Sequence, residues 1–366
     1  MKVVAFDLAD RNTRARYDAL FNDCPNAFIQ QSTYWADIIA DLGPDQPIFL
    51  LASEGERDVG GLPLYLFRAE PGPIINSVPQ PGPLGGVFCH PSADREPVYA
   101  ALLKAADGLA RSYGCLALTI ITNPMENDVD LYERHLAHNL TFENFTQVVR
   151  LENAVADGCL IVRNNKKANP GATIRKAEAA GFSIKHCSNT NEFDTWYAIH
   201  RQRASEIGLT PLNEMLVRRI WRDLGEKGNA FLQLVMAGEE IAAGCLFILH
   251  RDICDVFAVS MNSKHADNAP NYLAIKAALI EMARRGVRFM NWQSSPKRND
   301  GVYKFKKQWG SEERPYFFVT KTYREDACIL DLGPAGVKAA YSDHFLVPFG
   351  VFESGHLAGK YAKQPV

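Results

Sequence analysis

LKAADGLARSYGCLALT, running from Leu103 to Thr119, and IKAALIEMARRGVRFMN, running from Ile275 to Asn291, align without a gap. Lys104, Ala105, Ala106 and Gly114 match Lys276, Ala277, Ala278 and Gly286 at one constant offset. Each stretch reads as an amphipathic helix closed by a Gly, then a short apolar strand, because Gly alone enters the left-handed conformation that ends a helix at little cost. Four matches are few, so the order of the surrounding elements has to carry the inference. Upstream of the first helix, PIFLLASE and VGGLPLYLF flank a polar turn around Gly55 to Asp58. Upstream of the second, AFLQLVMA and EIAAGCLFILH flank a turn at Gly238 and Glu239, and DICDVFAVSM adds a third strand. Downstream of each unit come a helix (about 129–138 and 299–308) and a last strand (TFENFTQVVRL and RPYFFVTKTY). Antiparallel strands, a helical crossover and a returning strand make an α+β plan with a mixed sheet, and here it occurs twice.

The chain's 366 residues fit two domains better than one. Its 47% hydrophobic content supplies apolar surface for two cores. The expected division is 1–154, 155–326 and a tail, 327–366, with no assigned role. A net charge of -2 gives no global field for nucleic acid or anionic membrane, so any RNA or phosphate contact, or transient contact with a membrane surface, has to be local. DNA is not an expected partner. MKVVAFDLADRNTRARYDAL reaches charge too soon for an export signal, and no apolar run has transmembrane length. Eight scattered cysteines without a CxxC fit a reducing cytoplasm. His135 and His138 sit one turn apart without a third ligand, so no metal is expected. No Walker, dinucleotide or His-Glu-x-x-His motif occurs, which disfavours nucleotide hydrolysis, redox chemistry and zinc proteolysis.

NWQSSPKRNDGVYKFKKQWGSEERPYFF, with Tyr303, Phe305, Lys306, Trp309 and Gly310, resembles the end of the second domain of Fem-type peptidyl transferases. It is closer still to the Fem-like and GNAT-like proteins of bacterial polysaccharide and cell-envelope gene clusters. FIQQSTYW, with Gln31, Ser32 and Trp35, resembles an early family segment. RNNKKANPGATIRKAEAAGFSI resembles the basic helix opening the second domain, and FDTWYAIHRQRASEIGL the next helix, whose family arginine matches Arg203. The resemblance spans roughly residues 25 to 320. It implies two tandem GNAT-like domains, an acceptor in the cleft between them, and an amine attacking an activated carbonyl. The acceptor class is an amino sugar, a peptide, or a nucleotide- or lipid-linked precursor. No tightly bound cofactor is implied; acyl-CoA or aminoacyl-tRNA serves as co-substrate. The chain lacks both the long charged coiled-coil arm of many tRNA-using ligases and the Gln/Arg-x-x-Gly-x-Gly/Ala of acyl-CoA users, where NSKHADNAPNYLAIK stands instead.

Amine acylation needs positioning, oxyanion stabilisation and a route for a proton, but no enzymic nucleophile. Lys306 and Tyr303 are the catalytic candidates. On a helix, Tyr303, Lys306 and Lys307 share one side and Phe305 and Trp309 another. Lys306 would polarise the carbonyl or bind a donor phosphate; the alternative is an amphipathic helix with its lysines in water. Arg203 is a phosphate-gripping candidate or an ordinary surface arginine. Arg163, Lys166, Lys167, Arg175 and Lys176 make a phosphate-facing lip, a lid or a solvated face. Asn271 reads as the N-cap of the helix beginning near Tyr272 and as a donor-groove residue. Gln31 and Trp35 are expected under the cleft, and Phe305 beside the substrate. The Gly- and Pro-rich PQPGPLGGVFCHP is either a loop for close substrate approach or a rigid turn. A non-catalytic binding or scaffold protein on the duplicated fold is the rival reading.

Overall fold

The computed structural model describes residues 1–162, 170–295, 297–323 and 327–346. It divides into two compact units, Met1–Asn144 with Pro315–Val366, and Phe145–Arg314.

In the first unit, β1 (Lys2–Phe6) leads into α1 (Arg11–Asn22), started by Asp10 accepting from Thr13 N, and α2 (Thr33–Ala40), started by Ser32 accepting from Trp35 N. The hairpin β2 (Gln46–Glu54) and β3 (Arg57–Phe67) turns at Gly55, whose φ of 61° is the left-handed geometry a tight hairpin needs. β4 (Ile74–Asn76), β5 (Phe88–Cys89), α3 (Arg95–Ser112), β6 (Ala117–Ile121), α4 (Val129–His135) and β7 (Leu140–Arg150) follow. β1–β2–β3–β4 is antiparallel, and β4 then pairs in parallel with β6. The core is the sheet face under α3, where Leu102, Leu103 and Ala106 meet Leu50, Leu62, Leu118 and Ile120.

The second unit opens with α5 (Leu151–Ala154), the small ribbon β8 (Val155–Ala156) and β9 (Cys159–Leu160), α6 (Gly171–Ala179) and β10 (Ser183–His186). α7 (Thr190–Glu206) and α8 (Glu214–Arg219) precede β11 (Ala230–Ala237), β12 (Glu240–His250) and β13 (Ile253–Met261). α9 (Asn271–Arg284) then crosses to β14 (Phe289–Ser294), which is followed by α10 (Gly301–Lys307) and β15 (Glu312–Thr322). β10–β11–β12–β13 is antiparallel and β13 pairs in parallel with β14. This is the first unit's order repeated, with Gly286 (φ 79°) closing α9 as Gly114 (φ 65°) closes α3.

The last strands are exchanged. β7 begins in the first unit, but its residues Thr146–Arg150 pair with β14, whereas Phe318–Thr322 of β15 pair with Ala117–Ile121 of β6. The boundary at Asn144/Phe145 therefore falls inside β7, and each unit completes its sheet with a strand that the chain order assigns to the other. α11 (Ala327–Ala340) and the residues after it belong to the first unit: Val337, Tyr341 and Leu346 pack on Ile74, Leu116 and Ala117. Phe345 N–H donates to Asn76 Oδ1 and Asn76 Nδ2 to Phe345 O, at 2.8 and 2.9 Å. Among the described residues, no helix is long and apolar enough to cross a membrane.

Candidate active site in the second unit

In the ladder between β13 and β14 only Ile253–Asp255 pair with Phe289–Asn291. Just past that rung both strands break register. Phe257 is extra in β13 against β12, and Trp292 and Gln293 interrupt the pairing of β14 with β7. Bulges bend a strand and raise its twist, and two of them at one level part a parallel pair. The last rung is clasped by side chains: Thr146 Oγ1 donates to Asn291 Oδ1 at 2.5 Å and Asn291 Nδ2 to Asp255 Oδ1 at 2.7 Å, all three buried. Beyond the clasp, β13 and β14 have no further paired residues.

Lys306 holds β14 in its bulged form. Its side chain leaves α10 inward, 7% exposed, and Nζ donates to Gln293 O at 3.0 Å and Ser294 O at 2.7 Å. Gln293 has a φ of 61°, a left-handed conformation that a non-Gly residue adopts at a cost, so the ammonium stabilises a strained turn. An ammonium has three N–H donors. The third has no partner among the described residues. Burial pulls Lys306 down to about 8, against a smaller opposing effect of Asp300. Lys306 is thus on the buried side of α10, not among the lysines facing water.

Around it lies a buried polar chain: Ser295 Oγ donates to Gln147 Oε1, Gln147 Nε2 to Ser311 Oγ and Tyr303 O, and Ser311 Oγ to Lys306 O. Tyr303 donates to Glu313 at 2.5 Å, and this bond, which favours the neutral phenol, raises its proton affinity. Arg298 also donates to Glu313, at 2.8 Å. Phe305 packs edge-on to Tyr272 and Trp292, and Trp309 completes the aromatic wall.

The loop before α9 is closed on itself. Lys264 N donates to Asn262 Oδ1, His265 N to Asn262 O, Ala269 N to Ala266 O, Tyr272 N to Ala269 O and Leu273 N to Pro270 O. Lys264 and His265 both reach Glu240. Asn271 is not the N-cap expected from the sequence. Pro270 occupies that position, and Asn271 is the first helical residue, because Ala269 takes the left-handed turn (φ 47°) and starts the helix one residue early.

Arg203 forms a surface pair with Glu206 at 3.0 Å. Its neighbour His200 is better buried, and its two contacts fix its tautomer. Leu212 N–H donates to Nε2 at 3.2 Å, so Nδ1 carries the proton and donates to Ser260 Oγ at 2.8 Å. Burial lowers His200's proton affinity, which favours the neutral ring. Arg175 is exposed on α6; Arg163, Lys166 and Lys167 lie outside the described residues.

In the first unit Gln31 and Trp35 are fully buried. Gln31 Oε1 accepts from Phe28 N and Nε2 donates to Gly86 O. The Gly- and Pro-rich loop is held from both sides, since Val87 N donates to Tyr132 OH and a Cβ at Gly86 (φ 77°) would stand 2.4 Å from that oxygen. His135 Nε2 meets Glu96 at 2.6 Å and His138 Nδ1 meets Leu136 O at 2.9 Å. Sequence reading missed a cavity of about 280 Å³ at the start of α3. There Arg95 pairs with Glu126 at 3.0 Å and approaches Asp128 at 3.7 Å, while Tyr99 donates to Asp128 at 2.5 Å. No motif joins these residues, which come from a helix start and an acidic turn.

Residues 164–307 match the family described as Acetyltransferase (GNAT) domain. No curated protein matches the sequence. In three dimensions the chain is similar to FemX, with a TM-score of 0.67 at 14% identity over 91% of this chain and 100% of that one. It is also similar to the tandem GNAT protein from the clavulanic acid biosynthesis pathway (TM-score 0.52, 16% identity, 88% and 98% covered). A third likeness is the C-terminal domain of a putative lysylphosphatidylglycerol synthetase from Agrobacterium fabrum (TM-score 0.56, 9% identity, 89% and 96% covered). The fold is therefore α+β with two GNAT-type units in tandem, as the Fem-like resemblance implied, and the stretch that matches the GNAT family model lies in the second unit.

Proposed function

We propose that this chain transfers an acyl or aminoacyl group from an activated ester or thioester to an amine borne by an amino sugar, a peptide or a nucleotide- or lipid-linked precursor of envelope or polysaccharide assembly. The observation that carries the reading is the spare N–H of a buried ammonium, Lys306, beside the opening between β13 and β14. In this reading the donor lies along the freed strand edges and the amine attacks its carbonyl. The negative charge that develops on oxygen is met by Lys306 in a low-dielectric setting, where such a contact acts most strongly. Tyr303, held by Glu313, accepts the proton the amine gives up as it passes its own to the donor's alkoxide or thiolate, which leaves as the alcohol or thiol while the carbonyl re-forms.

Because the amides of Lys264, His265, Ala269, Tyr272 and Leu273 are bonded within the loop and the first turn of α9, a diphosphate finds those donors already engaged. That favours a donor held by other means, aminoacyl-tRNA among them, and it is also what favours the rival reading of a non-catalytic scaffold. The test is transfer from a panel of acyl-CoAs and charged tRNAs to amino-sugar and peptide acceptors. Activity should fall with deprotonation of a group near pH 8, Lys306→Met should lower kcat by about 100-fold or more, and Lys306→Arg should keep part of it without the alkaline limb. If no donor is used and none raises the melting temperature, the scaffold reading stands.

A further inference from the structure

Three guanidinium groups of the second unit crowd one aromatic ring. Arg150 at the end of β7, Arg288 before β14 and Arg314 in β15 place Cζ at 5.8, 5.1 and 5.3 Å from the centroid of Phe289. Arg150 stands directly opposite Phe289 in the ladder. One ring face attracts a cation only weakly near solvent, which does not hold three like charges together. Two carboxylates help two of the three: Glu312 meets Arg150 at 3.5 Å and Asp252 meets Arg288 at 3.2 Å. Arg314 is half-buried and makes no hydrogen bond or ion pair among the described residues. Burial, and next the charge of Arg150, lower its proton affinity, with Glu312 opposing. Three cations around one ring with two carboxylates beside them leave an excess of positive charge, which an anionic ligand would relieve.

Arg288 and Phe289 also wall a cavity of about 210 Å³, with Leu151, Val155 and Val287 as apolar lining and Glu152 as its acid. We propose that Arg314, with Arg150 and Arg288, receives the phosphoryl oxyanion of a phosphate ester whose apolar part enters this cavity. The planar fork of a guanidinium matches a phosphate's oxygens, and Arg150 lies near enough to Arg314 for its charge to lower that group's proton affinity, so one anion can relieve both. The ester can be a soluble metabolite or the headgroup of a lipid; the chemistry at the arginines is the same. The proposal does not rest on the transfer reading, and its test has no catalytic readout.

The full chain is titrated calorimetrically with phenyl phosphate at low salt, with phenol as the uncharged control, and sedimented with phosphatidylcholine vesicles with and without phosphatidylglycerol. Phenyl phosphate should bind, phenol should not, and salt should weaken the binding by screening. Arg314→Gln should weaken binding at least tenfold and melt no lower than the parent, since it removes a repulsion. Arg150→Gln should weaken binding too. Arg111→Gln, the same charge change at an arginine stacked on Tyr323, should leave it unchanged. Arg314-dependent capture by phosphatidylglycerol vesicles alone assigns the site to a lipid headgroup; binding of phenyl phosphate assigns it to soluble esters. The proposal is overturned if neither probe binds, if Arg111→Gln weakens binding as much as Arg314→Gln, or if Arg314→Gln binds like the parent or melts well below it.

Discussion

Two buried charges show how placement sets chemistry in this chain. Lys306 is drawn down toward 8 and Asp128 is pushed up to about 7, in both cases first by burial. For Asp128 the sign follows from its ordinary value of 3.8. The folded protein holds this proton more tightly than the unfolded chain, so the carboxyl's contribution is fully present below about pH 4 and is lost as pH rises through 7. Asp128→Asn cannot ionise and escapes that loss. Relative to the parent it should gain on the order of 4 kcal/mol between pH 4 and 8, from about three decades of proton affinity at about 1.4 kcal/mol each. Urea titrations of both proteins at a series of pH values read this directly, and a difference that stays flat with pH refutes it. Neither charge was legible as buried. Lys306 sits in a run with Lys304 and Lys307, where helical spacing alone permits a solvated stripe. What turns it inward is a bulge in a strand twelve residues upstream, and backbone register leaves little trace in residue type.

The elements themselves were largely legible, because hairpin turns, helix-closing glycines and apolar strands are local features. Gly55 and Gly238 both turn hairpins with positive φ, and Gly114 and Gly286 both close crossover helices. The strand edges that matter most were not legible, since parting β13 from β14 depends on pairing partners that periodicity does not name. Close approach between elements makes a testable contrast of two glycines. Gly244 in β12 faces Trp196 of α7, and a Cβ there would lie 2.4 Å from Trp196 Cδ1 in a fully buried contact. Gly244→Ala should therefore destabilise by about 1–3 kcal/mol through overpacking. Gly108 lies within α3, and a methyl group added there would meet nothing within 4 Å. Gly108→Ala should stabilise by about 0.5–1 kcal/mol by removing chain entropy from the unfolded state. Thermal melts of the two variants should move in opposite directions; the same direction for both would undo the contrast.

At the scale of the chain, duplication was legible from the repeat, but the exchange of last strands was not: each strand is apolar and well placed to close the sheet of its own half. The consequence concerns which pieces can fold. Phe145–Arg314 is continuous and carries its whole ladder from β10 to the second half of β7, its core and the Lys306 site. Expressed alone it should unfold cooperatively and keep the proton affinity of Lys306 near 8, readable by NMR of the labelled lysine. Met1–Asn144 lacks the strand that pairs with β6, where Thr320 Oγ1 meets Thr119 Oγ1 at 2.9 Å, and it lacks Tyr341 and Leu346 from the core beside Ile74. An open apolar strand edge is a template for aggregation, so this fragment should be insoluble or collapsed without fixed packing. Joining residues 315–346 to it through a flexible linker should restore a cooperative melt. A well-folded 1–144 fragment, or a 145–314 fragment that does not fold, would mean that the strands belong to the halves in which the chain order first places them.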